Sequence, residues 1–107
     1  MTISSPERTG EAPKPAEVCA VLRRAANALE RLPHLRVGRL DLYLALRRSG
    51  PYQVAQAALE VLAAHLHATG ADDLWVHRMS VLRNREDAVV LMRDAADAAE
   101  KAAVVSR

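Results

Sequence analysis

No phenylalanine occurs in this chain, and Trp75, Tyr43 and Tyr52 are its only aromatic residues. Strands lean on aromatic and β-branched side chains, so a sheet-built fold is disfavoured at the outset. Cys19 is the single cysteine, which excludes an internal disulfide and a cysteine-based metal centre. There are only four glycines, most of them at expected turns or in the N-terminal tail. Little loop is left to cradle a phosphate or assemble a reaction centre. No apolar run approaches the roughly 18 residues of a membrane span, and the opening MTISSPERTGEAPKP has no apolar segment of the secretory kind. These absences lead us to expect a soluble protein of a reducing compartment, most simply the cytoplasm.

What the chain does contain is alanine and leucine in quantity, both strong helix formers. Its 107 residues suit one domain, large enough to bury roughly two-thirds of the unfolded surface. Arginine outnumbers lysine 13 to 2. Seven arginines (23, 24, 31, 36, 39, 47 and 48) lie in residues 20–50 against Glu30 and Asp41, whereas residues 86–101 carry five acids. Codon usage in a GC-rich genome explains an arginine excess; phosphate recognition by the guanidinium fork is the sharper alternative.

Residues 1–14 are polar, aperiodic and interrupted by Pro6, Gly10 and Pro13, and we expect a disordered tail before a single helical domain over 15–105. Pro15 suits a first helical position. After it, Val18, Val21, Leu22, Ala25, Ala28, Leu29 and Leu32 recur at helical spacing, until Pro33 stops the helix. The stretch LDLYLALRRSG, residues 40–50, alternates leucine with other residues like a half-buried strand. No second alternating segment exists to pair with it, unless a second copy supplies one. An unpaired strand leaves its backbone donors and acceptors unsatisfied. The spacing therefore predicts a helix, apolar nearly all round and so buried, with Gly50 as a left-handed C-terminal cap.

Pro51 opens a further helix, YQVAQAALEVLAAHLHAT, closed by Gly70, whose apolar arc is wide enough for a central position. A short helix, DLWVHRMSVL, is expected around Trp75 with Asp72 or Asp73 as its cap. Asn84 and Asp87 resemble a capping box for the last helix, REDAVVLMRDAADAAEKAAVV. Six alanines on its inner face (95, 96, 98, 99, 102 and 103) allow a neighbouring backbone to come close. Asp97 and Lys101 stand four apart, the favourable order for a helical ion pair. The fold expected is all-α, a compact bundle of four main helices plus the short one around Trp75.

His65 and His67 sit two apart, on different sides of a helix, and cannot grip one ion together. His65 falls in the apolar arc and reads as a hydrogen-bonded core histidine. His34 and His77 lack a ligand three or four residues away. No metal and no cofactor is expected, and no nucleophile elbow or paired carboxylate suggests an enzyme. A helix-turn-helix across RRSGPY is the main alternative, but its second helix carries no Arg or Lys between 51 and 69.

Three pieces, LRRAANALE, LYLALRRSG, and the tryptophan followed by NREDAVVLMRDAADAAE, resemble a small helical family of actinobacteria and their phages. In that family the tryptophan is typically followed by Asn-Asp; here Val76 and His77 follow Trp75. The resemblance implies helical architecture and source, and it implies no activity, because the family has none assigned. We expect a non-enzymatic protein–protein interaction module that pairs with a partner protein or a second copy of itself, as a homodimer. Leu40, Leu44, Trp75, His77 and Arg78 are its candidate contact residues, although Trp75 reads first as a plug of the core beside the alanine-rich last helix and only alternatively as an exposed anchor. The alternative is a small nucleic-acid-binding regulator using Arg23, Arg24, Arg31, Arg36, Arg39, Arg47 and Arg48.

Overall fold

A computed structural model describes residues 13–105. The elements run α1 (Pro15–Glu30), β1 (Arg36–Gly38), α2 (Arg39–Ser49), α3 (Tyr52–Ala68), α4 (Leu74–His77), β2 (Leu82–Asn84) and α5 (Arg85–Val105). The mostly-α bundle expected from alanine and leucine is what forms. Most of the N-terminal tail, residues 1–12, lies outside the described residues.

Helix α1 puts more residues in the core than any other element. Val18, Cys19, Val21, Leu22, Ala25, Ala26 and Leu29 all lie in the core, and α1 packs against α2, α3 and α5. Its backbone starts cleanly, with the Lys14 N–H donating to Glu17 Oε1 at 2.9 Å. The inner row of α5 is built of Ala88, Val89, Met92, Ala95 and Ala96. Small side chains let the two helices meet closely: the Cys19 thiol donates to the backbone carbonyl of Ala96 at 3.3 Å. Arg23 donates to Asp97 and Glu100, both at 2.8 Å, and Arg93 to Asn27 and Glu30. Asp97 thus pairs across to α1, not along its own helix to Lys101.

Helix α3 also meets several helices, as its arc predicts, but buries fewer residues: Val54, Ala55, Ala58, Leu62 and Leu66. Gly70 closes it at φ 77°. Gly50 does something other than expected. Its backbone is extended (φ −179°, ψ 178°), so it is no left-handed cap. It is needed because a Cβ there would stand 2.6 Å from Val21 Cγ2. The chain turns from α2 to α3 pressed against α1, and only glycine leaves room.

Two short strands depart from the all-helical expectation. β1 and β2 pair antiparallel, with Arg36 opposite Asn84, Val37 opposite Arg83 and Gly38 opposite Leu82. The expected short helix, residues 73–82, is confined to Leu74–His77; a turn follows, and β2 begins where the helix was expected to end. Three residues are too few to show a period of two, and each strand exists only because the other is beside it. The pairing also orders the molecule into two halves: helix, strand, helix, twice, with α4 inserted in the second.

Around the central Val37–Arg83 pair the halves exchange arginines. Arg39, first residue of α2, donates through Nε to the Val76 carbonyl at 3.0 Å. Arg85, first residue of α5, donates to the Leu32 carbonyl. Each arginine leaves the end of its own strand and holds the segment that leads into the other. Trp75 fills the space beneath, fully buried, its indole N–H donating to the Val37 carbonyl at 3.2 Å.

Candidate functional site

The residues offered for partner binding separate into two sets. Trp75 is withdrawn from any surface role: it is 0% exposed and bonded to β1. The core claims it because an indole buries more apolar area than any other side chain here and its one donor finds a strand carbonyl. His77 and Arg78 are exposed at the end of α4, where Leu74, Met79 and Leu82 are exposed as well, but along an irregular segment and not on one helix face as on α2.

Leu40 and Leu44 stay at the surface. Helix α2 does not sink into the bundle on all sides; Leu42, Ala45 and Leu46 face inward, while Leu40, Tyr43 and Leu44 remain 54%, 36% and 39% exposed. At 100° per residue the outward residues 40, 43, 44, 47 and 48 fall on one side, and 42, 45, 46 and 49 on the other. Four leucines in an 11-residue helix exceed what one core can take up.

Charge flanks this apolar face. At its N-terminal end Asp41 accepts the Gly38 N–H at 3.0 Å through Oδ2, capping α2, and faces His34 Nε2 at 3.2 Å through Oδ1. At its C-terminal end Arg47 lies over the Tyr52 ring, 5.0 Å from its centroid. Arg48 is exposed beside it. A recess of about 100 Å³ between α1 and α2 is lined by Ala28, Leu29, Leu32, Asp41, Leu44, Ala45 and Arg48. Small-molecule sites run from about 300 Å³ upward. This recess suits a single side chain.

The seven arginines of the nucleic-acid alternative do not act alike. Arg23 is clamped by Glu100 and Asp97, and those hydrogen bonds hold its guanidinium still more firmly protonated than usual. Arg24 donates to the Ser49 carbonyl at 3.1 Å, Arg39 holds Val76, and Arg47 covers Tyr52. Arg31, Arg36 and Arg48 are exposed. Four of the seven thus have work inside the fold.

A larger open groove, about 760 Å³, runs between the N-terminus of α1 and the C-terminus of α5, lined by Lys14, Cys19, Arg23, Glu100 and Val104 among others. Cys19, Arg23 and Glu100 already bond to one another's helices. Burial pushes the Cys19 thiol up, outweighing the pull of Arg23, so it stays protonated and unreactive. His65 is half-buried and not the core histidine expected, and His67 is exposed with Nδ1 3.8 Å from Asp73 Oδ2. Among the described residues no three His, Cys, Asp or Glu side chains form a group able to hold a metal ion. No helix of the described chain is long and apolar enough to cross a membrane.

Comparison with family models, curated proteins and solved structures returns no match. The outer face of α2 is therefore judged by its own chemistry. Asp41, Tyr43 and Arg48 belong to it alongside Leu40 and Leu44. A helical wheel drawn for residues 39–49 already groups them, once the segment is taken as a helix with one buried side.

Proposed function

We propose that this chain is a non-enzymatic interaction module that associates with a second copy of itself through the outer face of α2. One observation carries the reading: Leu40, Tyr43 and Leu44 stand exposed within one helical turn, although the same helix already delivers Leu42 and Leu46 to the core. Large apolar side chains gathered on one exposed helix face mark a contact surface more than they serve a monomer. On the other helices exposed large apolar side chains do not share a turn: Tyr52 stands at the start of α3 and Leu74 at the start of α4, with exposed Met79 and Leu82 beyond it outside any helix. Val90 and Val104, the exposed valines of α5, are fourteen residues apart and so about 21 Å from each other along the axis. The cytoplasmic setting and the kinship with actinobacterial and phage helical proteins belong to the same proposal, supported by the lone buried thiol and by the sequence pieces quoted above.

Light scattering on the purified chain across about 10–200 μM, the range where small interfaces assemble, is the test. A mass rising toward twice that of the monomer is expected. A strict monomer throughout overturns self-association. Engagement of four arginines within the fold weighs against the nucleic-acid alternative, and titration with duplex DNA at low salt is expected to show no binding tighter than about 1 μM.

A further inference from the structure

Helix α2 carries its charges in an order that makes its outer face complementary to itself, but in one orientation only. Asp41 lies at the N-terminal end, Arg48 at the C-terminal end, and Leu44 midway between them. The three follow a three-then-four spacing, so they share one stripe, with Asp41 and Arg48 about 10 Å apart along the axis. All three line the recess against α1. The other basic residue of that turn, Arg47, is drawn off over Tyr52, and Arg48 remains exposed. Asp41 uses one oxygen on Gly38 and the other on His34; a carboxylate has about four acceptor sites, so capacity remains.

Resting on the self-association reading above, we infer that two copies join by an antiparallel α2–α2 contact about a two-fold axis passing near Leu44. In such a contact residue numbers that face each other sum to a constant. A sum of 89 sets Asp41 against the partner's Arg48, repeats that pair on the far side of the axis, and brings Leu44 beside its own counterpart. Leu40 and Tyr43 widen the apolar strip. A parallel arrangement would set Asp41 against the partner's Asp41 and Arg48 against the partner's Arg48, so like charges reject it. Antiparallel packing also opposes the two helix dipoles favourably. The helix is only 11 residues, about 16 Å long, so the contact is smaller than the ~800 Å² per partner of a standard interface. A micromolar dimer follows.

Charge exchange tests this in the full-length chain. Arg48→Asp changes an exposed side chain and should weaken the dimer about tenfold, because every change counts twice in a two-fold contact. Asp41→Arg should do the same while also losing the Gly38 cap, visible as a lower Tm. Mixing the two variants should restore association at least to the native level. One chain then carries arginine at both positions and the other aspartate at both, so opposite charges meet at each end of the contact; a merely structural role predicts no such rescue. Should Asp41→Arg fail to fold, Leu44→Cys carries the test: mild oxidation is expected to link it to its own counterpart, while Val90→Cys stays unlinked. A native dimer indifferent to Arg48→Asp and to Leu44→Glu, or a dimer with no Leu44→Cys cross-link, overturns the α2 contact and leaves self-association standing. A monomer at about 200 μM overturns both.

Discussion

Helices α2 and α5 start alike and finish in different surroundings. Each follows a three-residue strand, each opens on an arginine that reaches a carbonyl in the opposite half, and each has aspartate as its third residue. Even the caps correspond with their parts exchanged. In α2 the Asp41 carboxylate takes the Gly38 N–H, and in α5 the Asn84 side chain takes the Glu86 N–H at 2.9 Å. Beyond the first turn they part. α5 runs 21 residues with an alanine-rich inner row that lies tight on α1, and its exposed surface is mostly charged. α2 runs 11 residues with leucines on both sides, and only one side finds cover. Matching start signals place a helix; side-chain size and helix length decide how much of it is buried.

The comparison is broken most severely at Trp75, which belongs to the second half but hydrogen-bonds the first. Trp75→Ala should cost about 3–5 kcal/mol, a large share of the ~5–15 kcal/mol that holds a domain folded, and urea denaturation or loss of the helical circular dichroism signal reads it. Trp75→Phe keeps much of the volume and loses the N–H; a loss as large as that of alanine would show that the hydrogen bond, and not packing, joins the halves.

Next come the two glycines at helix ends. Gly50→Ala drives a methyl group into Val21 and should cost about 1–3 kcal/mol by overpacking. Adding Val21→Ala should recover part of that loss, so the pair is non-additive in a double-mutant cycle. Gly70→Ala meets no neighbour but must hold φ 77°, and about 1–2 kcal/mol is expected. No second-site change nearby should relieve it.

The exchanged arginines sharpen the comparison directly. Arg39→Ala and Arg85→Ala each leave a carbonyl without its donor and should each cost about 1–2 kcal/mol in chemical denaturation. Costs differing more than threefold would mean that the two halves use their arginines differently despite the matching geometry.

The smallest effect is one of pH. Burial raises the Cys19 thiol above its unfolded range, so above that range the unfolded chain gives up a proton that the folded chain retains. Stability is then full below the ordinary thiol range and falls as pH rises through it. Thermal scans at rising alkaline pH should show a decline in Tm that Cys19→Ala flattens.

Much of this is legible in the sequence. The apolar period of residues 15–32 and 85–105, Pro15 and the turn at Gly70 describe local events, and local chemistry suffices to specify them. The leucines of 40–46 do form a helix, but not a wholly buried one, because a helical wheel says which side is apolar and not how many sides the neighbours cover. Asp72, which accepts the Leu74 N–H at 2.9 Å, marks the start of α4. The early end of that helix at His77 does not show, since β2 draws its hydrogen bonds from a strand 46 residues away in sequence.

Composition and periodicity by themselves determined that the chain would be helical, that α1 and α5 would have one apolar face each, and that no cysteine pair would brace it. Tertiary structure alone decided the strand pair, the crossing arginines, the extended glycine against Val21 and the strand carbonyl that the Trp75 indole bonds. Each of these joins residues remote along the chain, and the free energy of such a contact belongs to both partners at once, so neither segment encodes it alone.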